Sequence, residues 1–197
     1  DNNSSDYTIR AITASSGKNN SVSFTLDKFD SYADGYLKYM KNDTDRTATR
    51  LNIQTDAAVI YNNIGLASTV DGVSKMRYMF GDDDDTGLVK QDSTWGGKVT
   101  VMDTDSTAGY DVVVVEIGTP AVVEELSANG NLTFKNDVVT AEKVTIPRLT
   151  FDDDDDNTII NVTKDGLPYD YNELKAWDVL TIIYNGDAEY YDVRVLG

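Results

Sequence analysis

The chain has no cysteine and no histidine among its 197 residues. Without cysteine there are no disulfides, no thiolate metal sites and no thiol nucleophile. Without histidine the commonest general base is gone, and with it Ser-His and Cys-His dyads and ordinary zinc catalysis. Only carboxylate chemistry survives among the familiar catalytic schemes. Proline is scarce, at 3 residues, and the 14 glycines are dispersed, so no low-complexity linker stands out. No stretch approaches the roughly 20 consecutive apolar residues that a membrane helix needs. Positive charge is also short: 17 Lys and Arg face 34 Asp and Glu, a net charge of −17. Such a field repels phosphate backbones and anionic lipid and attracts cations. The expectation is no nucleic acid partner and no membrane insertion.

What is present reads as β structure. A hydrophobic content of 40% is enough for a packed core. β-branched and aromatic residues alternate in YTIRAIT (7–13), SVSFTL (21–26), KVTVM (98–102) and KVTIPRLTF (143–151). Apolar runs fill DVVVVEI (111–117) and VLTII (179–183). Turn-forming SSGKNN, ANGN and YNGD lie between such segments. Only SKMRYMF (74–80) and YNELKAW (171–177) suit a helical turn or two. The opening residue is Asp1 rather than Met, which suggests a processed or excised segment.

An internal repeat organises these strands. VTVMDTDSTAGYDVVVV from Val99 aligns without a gap to LTIIYNGDAEYYDVRVL from Leu180, 81 residues later. Tyr110-Asp111-Val112 then meets Tyr191-Asp192-Val193. Each copy reads as strand, polar turn, strand, the signature of a hairpin. Upstream, residues 9–25 resemble residues 122–135, with 57–63 and 159–166 as equivalent middle strands. The expected fold class is all-β: two tandem small β-barrel or sandwich modules, residues 1–118 and 119–197, related by an internal repeat. The first is longer through insertions around 28–50 and 71–94.

GKVTVMDTDSTAGYDVVVVE and KDGLPYDYNELKAWDVLTIIYNGDAEYYDVRV resemble β modules of large Gram-positive, clostridial-type surface proteins that carry S-layer homology domains. The resemblance covers mainly residues 97–197. It implies an ectodomain portion of a cell-surface polypeptide. The wall-anchoring S-layer homology modules themselves are absent from this sequence, so it does not imply wall-polymer binding.

The candidate site residues are acidic. One run is Asp82, Asp83, Asp84 and Asp85; the other is Asp152, Asp153, Asp154, Asp155 and Asp156. On an extended strand such carboxylates divide between two faces. Bent into a loop, several can converge on Ca²⁺, which takes six to eight oxygens. The competing reading is a solvated loop that resists aggregation. A third set, Asp103, Asp105 and Asp111, with Thr107, has the alternating spacing of an oxygen-rich Ca²⁺ loop. It departs from the EF-hand pattern, with Ala108 at the sixth position and Val114 at the twelfth. A plain hairpin turn is the alternative there.

Glu124 and Glu125, with the aspartate runs, supply carboxyls for glycoside hydrolysis, but no aromatic cleft pattern accompanies them. Trp95, Trp177 and the 12 tyrosines offer stacking surfaces for sugars, although strand tyrosines more often pack against neighbouring strands. The expected role is therefore non-enzymatic: a structural segment of a bacterial cell-surface or extracellular assembly, an S-layer-like or fibre subunit stabilised by Ca²⁺. Its partners would be copies of itself or other surface-protein subunits. The alternative is a glycan- or protein-binding module.

Overall fold

The computed structural model describes residues 20–66, 71–81, 87–89, 96–105, 107–151, 158–186 and 189–196. The molecule is mostly β, with one α-helix among these residues. The described residues form two compact units: one holds those up to Glu116 apart from Gly96, and the other holds Gly96 and those from Ile117 onward.

The first unit contains β1 (Asn20–Thr25), β2 (Phe29–Ala33), β3 (Tyr36–Tyr39), β4 (Thr49–Tyr61), the short β5 (Ile64–Gly65), helix α1 (Gly72–Phe80), β6 (Gly96–Asp103) and the start of β7 (Tyr110–Leu126). Its strands run in the order β2-β3-β4-β7-β6-β1, an open path of ladders. β1 and β6 are antiparallel, with Val22 opposite Val101. β4 and β7 are parallel, with Val59 opposite Val113 and a register shift between Ile53 and Ala58. Inward residues alternate as a half-buried strand requires: Leu51, Ile53, Ala57, Val59 and Tyr61 on β4 are all buried. Leu37, Val99, Val101, Val113 and Val115 are buried in the same unit, and Phe24 stacks on Tyr39 at 4.5 Å between ring centroids.

Helix α1 starts where Asp71 accepts hydrogen bonds from the Ser74 backbone N at 2.9 Å and the Ser74 hydroxyl at 2.8 Å. That satisfies one of the amides a helix N-terminus leaves open. Met76, Met79 and Phe80, at helical spacing, form its buried face. Phe80 meets Phe29 at 5.3 Å. The chain breaks out of the helix at Gly81, whose φ of 77° closes its end.

The second unit contains the later half of β7, β8 (Asn131–Phe134), β9 (Arg148–Thr150), β10 (Ile159–Lys164), the short β11 (Leu167–Pro168), a 3₁₀ turn at Tyr171–Glu173, β12 (Val179–Asn185) and β13 (Tyr190–Val195). Here too the ladders form an open path. β7 and β12 are antiparallel, with Ala121 opposite Leu180. β10 and β13 are parallel, with Val162 opposite Val193. Ala121, Val123, Leu132, Leu180, Ile182, Val193 and Val195 are buried together. Phe151 stacks on Tyr171 at 4.3 Å.

Local chemistry explains where strand expectations changed. The run 143–151 is strand only at Arg148–Thr150, with Thr145 in an isolated bridge to Val139. Pro147 cannot donate to a ladder, and Lys143 sits in a turn at φ 63°. β7 extends beyond the expected 111–117 segment to Leu126, passing through Gly118 and Pro120. The expected strand at 7–13 lies outside the described residues.

Candidate functional site

Three carboxylates meet where β6 ends and β7 begins. Asp103 is the last residue of β6, Asp105 lies in the connection, and Asp111 is the second residue of β7. The pairing of β6 with β7 therefore returns the chain to the same end of the sheet and brings the three together. One oxygen from each residue lies within 4.8 Å of one from each of the others. That is the span across one Ca²⁺ shell, since ligands at about 2.4 Å on opposite sides of an ion are about 4.8 Å apart.

Two of the carboxylates are held by neighbouring donors. The Thr104 backbone N donates to Asp111 Oδ1 at 2.6 Å, and the Thr104 hydroxyl donates to Asp111 Oδ2. Asp105 Oδ1 accepts from the Thr107 backbone N at 2.7 Å and from Gln54 Nε2 at 3.2 Å. Gln54 Nε2 also donates to the Gly109 carbonyl at 3.3 Å, which fastens the connection to β4. Asp103 differs: its Oδ1 is buried and has no hydrogen-bond partner among the described residues. A buried polar atom left unpaired is costly. A cation among the three carboxylates would supply what Asp103 lacks. Burial pushes the neighbouring Tyr110 hydroxyl above its ordinary pKa, helped by the negative potential of Tyr39 and Asp103.

The donor set fits a hard, oxygen-seeking cation rather than a soft metal, because it holds only carboxylates and hydroxyls. It is not an EF-hand loop: Val114, the twelfth position, lies inside β7 instead of opening a helix. The β12–β13 hairpin uses its aspartate differently. Asp192, aligned with Asp111 in sequence, is buried and accepts from Arg194 at 2.9 and 3.1 Å. That carboxylate is already neutralised, so the second hairpin folds around an ion pair.

Of the other candidates, Asp82, Asp83, Asp84, Asp85, Asp152, Asp153, Asp154, Asp155, Asp156 and Trp95 lie outside the described residues. Glu124 and Glu125 are exposed neighbours on β7, beside its register shift against β8. Trp177 is 72% exposed, and the Lys135 ammonium sits 4.1 Å from its ring centroid. Thr104 and Gln54, which orient two of the three aspartates, carry no signal in the sequence, because single hydroxyl and amide residues have no diagnostic spacing. No protein-family model, no curated protein and no solved structure matches the chain.

Proposed function

We propose that the chain is a non-enzymatic structural segment of a bacterial cell-surface or extracellular assembly, built from two tandem modules of one β design. The observation that carries this reading is one element order with several matching ladders, although β3·β4 and β7·β8 have no counterpart in the other series among the described residues. β1, β2, β3, β4, β5, α1, β6 and the start of β7 correspond in turn to the later half of β7, β8, β9, β10, β11, the 3₁₀ turn, β12 and β13. In each series the first strand is antiparallel to the first strand of the final hairpin, as in β1·β6 and β7·β12. The fourth strand is parallel to the hairpin's second strand, as in β4·β7 and β10·β13. It then folds back through a two-residue turn onto a two-residue strand. Both turns place two residues at positive φ: Asn62 and Asn63 at 46° and 70°, Asp165 and Gly166 at 52° and 77°. That is the tight turn whose twist matches a hairpin.

This correspondence puts β1 in the place of β7's later half rather than of β8, one strand away from the upstream sequence alignment. Each module is read as a small barrel or sandwich over its own core. Repetition of a self-contained core suits a spacer or lattice segment. Acidic surface keeps such a chain dispersed, and Ca²⁺ at Asp103, Asp105 and Asp111 would tie β6 to β7.

Immunogold electron microscopy and protease shaving of source cells test this reading. Dense labelling of the cell exterior, lost on shaving, is the expected result. Label confined to the cytoplasm would overturn it. The second reading, a glycan-binding module, draws on exposed Trp177. Glycan-array binding abolished by Trp177→Ala would favour that role instead.

A further inference from the structure

The hairpin of β12 and β13 holds two tyrosines face to face near its turn. Tyr184 lies directly opposite Tyr191 in the antiparallel register, so both side chains stand on the same face of the sheet. Their ring centroids are 4.8 Å apart, with 36° between the ring planes. The two hydroxyls share a hydrogen bond. Both rings pack against the core of the second module yet are only half-buried, so the core sets their position while solvent still reaches them. Gly186 in the turn leaves room for the pair, since a Cβ there would lie 3.0 Å from the Tyr184 hydroxyl oxygen. Packing alone explains two rings in contact; it does not require two phenol hydroxyls to meet.

The equivalent hairpin of the first module is built otherwise. The sequence repeat sets Tyr110 against Tyr191 but Asp103 against Tyr184. The first hairpin therefore places a carboxylate where the second places a second phenol. The chain has no cysteine, so a disulfide cannot fasten either hairpin.

We propose that Tyr184 and Tyr191 are the site of an oxidative cross-link, an intramolecular dityrosine made by a haem-type one-electron oxidant with hydrogen peroxide as the final acceptor. Each phenol gives up one electron and its hydroxyl proton, leaving a tyrosyl radical. The radicals couple through one Cε carbon of each ring. The hydrogen displaced from each of those carbons then moves to the oxygen beside it, which restores both phenols. The net loss is two electrons and two protons, and these reduce one hydrogen peroxide to two waters. The shared hydrogen bond brings the hydroxyl ends of the rings together, and the coupling carbons are those next to the hydroxyls. The product ties β12 to β13 covalently across their turn. This inference goes beyond the structural role and stands on the geometry of the pair, not on where the chain is found.

Oxidation of the folded chain with hydrogen peroxide and a haem peptide, small enough to reach the pair and active in urea, tests the inference. The monomer is isolated by size exclusion and digested with a protease that cuts after Glu189, between the two tyrosines. The expected result is dityrosine fluorescence in the monomer, with the peptides from either side of Glu189 still joined and two hydrogens lighter than their sum. Unfolding the chain in urea before oxidation should lower the yield of that link about tenfold or more, because the rings are no longer held side by side. Tyr184→Phe and Tyr191→Phe should each abolish the link, while circular dichroism and melting at neutral pH stay those of the parent. Peptides that separate after oxidation, links confined to other tyrosines or formed only between chains, or an equal yield from the unfolded chain would overturn the proposal. Immunogold labelling is a separate measurement: a missing cross-link leaves the structural role standing, and cytoplasmic label leaves the cross-link standing.

Discussion

Two glycines separate the steric and conformational parts of backbone strain. Gly97 sits at φ 154°, and a Cβ there would lie 2.1 Å from the Glu116 carbonyl oxygen and 2.9 Å from Leu26. Gly166 sits at φ 77° with nothing within 4 Å of that position. Gly166→Ala therefore carries only the left-handed penalty, about 1–2 kcal/mol. Gly97→Ala adds a backbone collision and should cost about 3 kcal/mol or more. Urea denaturation of the two variants checks the order; equal losses would mean the Glu116 carbonyl moves aside freely. Asp103 makes the other residue-scale case. Asp103→Asn removes one of three clustered charges, so in chelator it should raise Tm by about 2 °C. The same variant should lose any Ca²⁺-dependent rise in Tm shown by the parent. A parent whose Tm is equal in EGTA and in millimolar CaCl₂ would remove Ca²⁺ from the site, since a ligand bound only to the native state must stabilise it.

Helix α1 is the element on which capping and burial can be told apart. Hydrogen bonds from Ser74 hold the Asp71 carboxyl below its ordinary range. A depressed folded-state pKa gives stability that is present above the unfolded value of 3.8 and is lost as pH falls through the folded value. Asp71→Ala should lower Tm by about 2–4 °C at neutral pH, with the difference shrinking in strong acid. A difference that persists unchanged in acid would show that the cap acts through something other than the ionised carboxylate. Phe80→Ala, which empties the contact with Phe29, should cost about 3–5 kcal/mol at every pH.

Elements also show how far the sequence could be read. The hairpins at β6–β7 and β12–β13 were legible because alternation and the shared Tyr-Asp-Val mark both copies. SKMRYMF read only as room for a helical turn or two, and α1 takes it up in a longer helix from Gly72 to Phe80. The upstream strands were harder to read: β2·β3 and β8·β9 are both antiparallel ladders, yet their sequences share little. The length of β7 was hidden as well: Gly118 and Pro120 look like punctuation. Pro120 remains in the strand opposite Thr181, and it is exposed. Asp103, Asp105 and Asp111 were legible as a group from spacing alone. That one oxygen of Asp103 would be buried and unpaired depends on tertiary packing, which no spacing encodes.

At the scale of the whole molecule, charge governs stability before any site does. Self-repulsion at −17 destabilises a compact state, and salt screens it over a Debye length of about 10 Å near 0.1 M. Monovalent salt should therefore raise Tm progressively in chelator. Alkaline pH acts the other way. Burial raises the Tyr191 hydroxyl above its ordinary value of 10.0, with Tyr184 and Glu189 adding negative potential. A raised folded-state pKa contributes stability that is complete below 10.0 and is lost as pH rises through the folded value. Tyr191→Phe should flatten that alkaline loss while leaving the neutral Tm close to the parent's. General screening and a specific cation site then differ in one measurable respect. Matched for ionic strength, NaCl, MgCl₂ and CaCl₂ raise Tm equally if only the diffuse field matters. A built Ca²⁺ site adds about 2.7 kcal/mol at a hundredfold excess over its Kd, because Mg²⁺ demands tighter octahedral geometry and gives up its waters reluctantly. Calorimetry in the three salts decides between them: superimposable curves would mean that −17 acts only as a field, and a calcium-specific rise lost in Asp103→Asn would place the ion between β6 and β7.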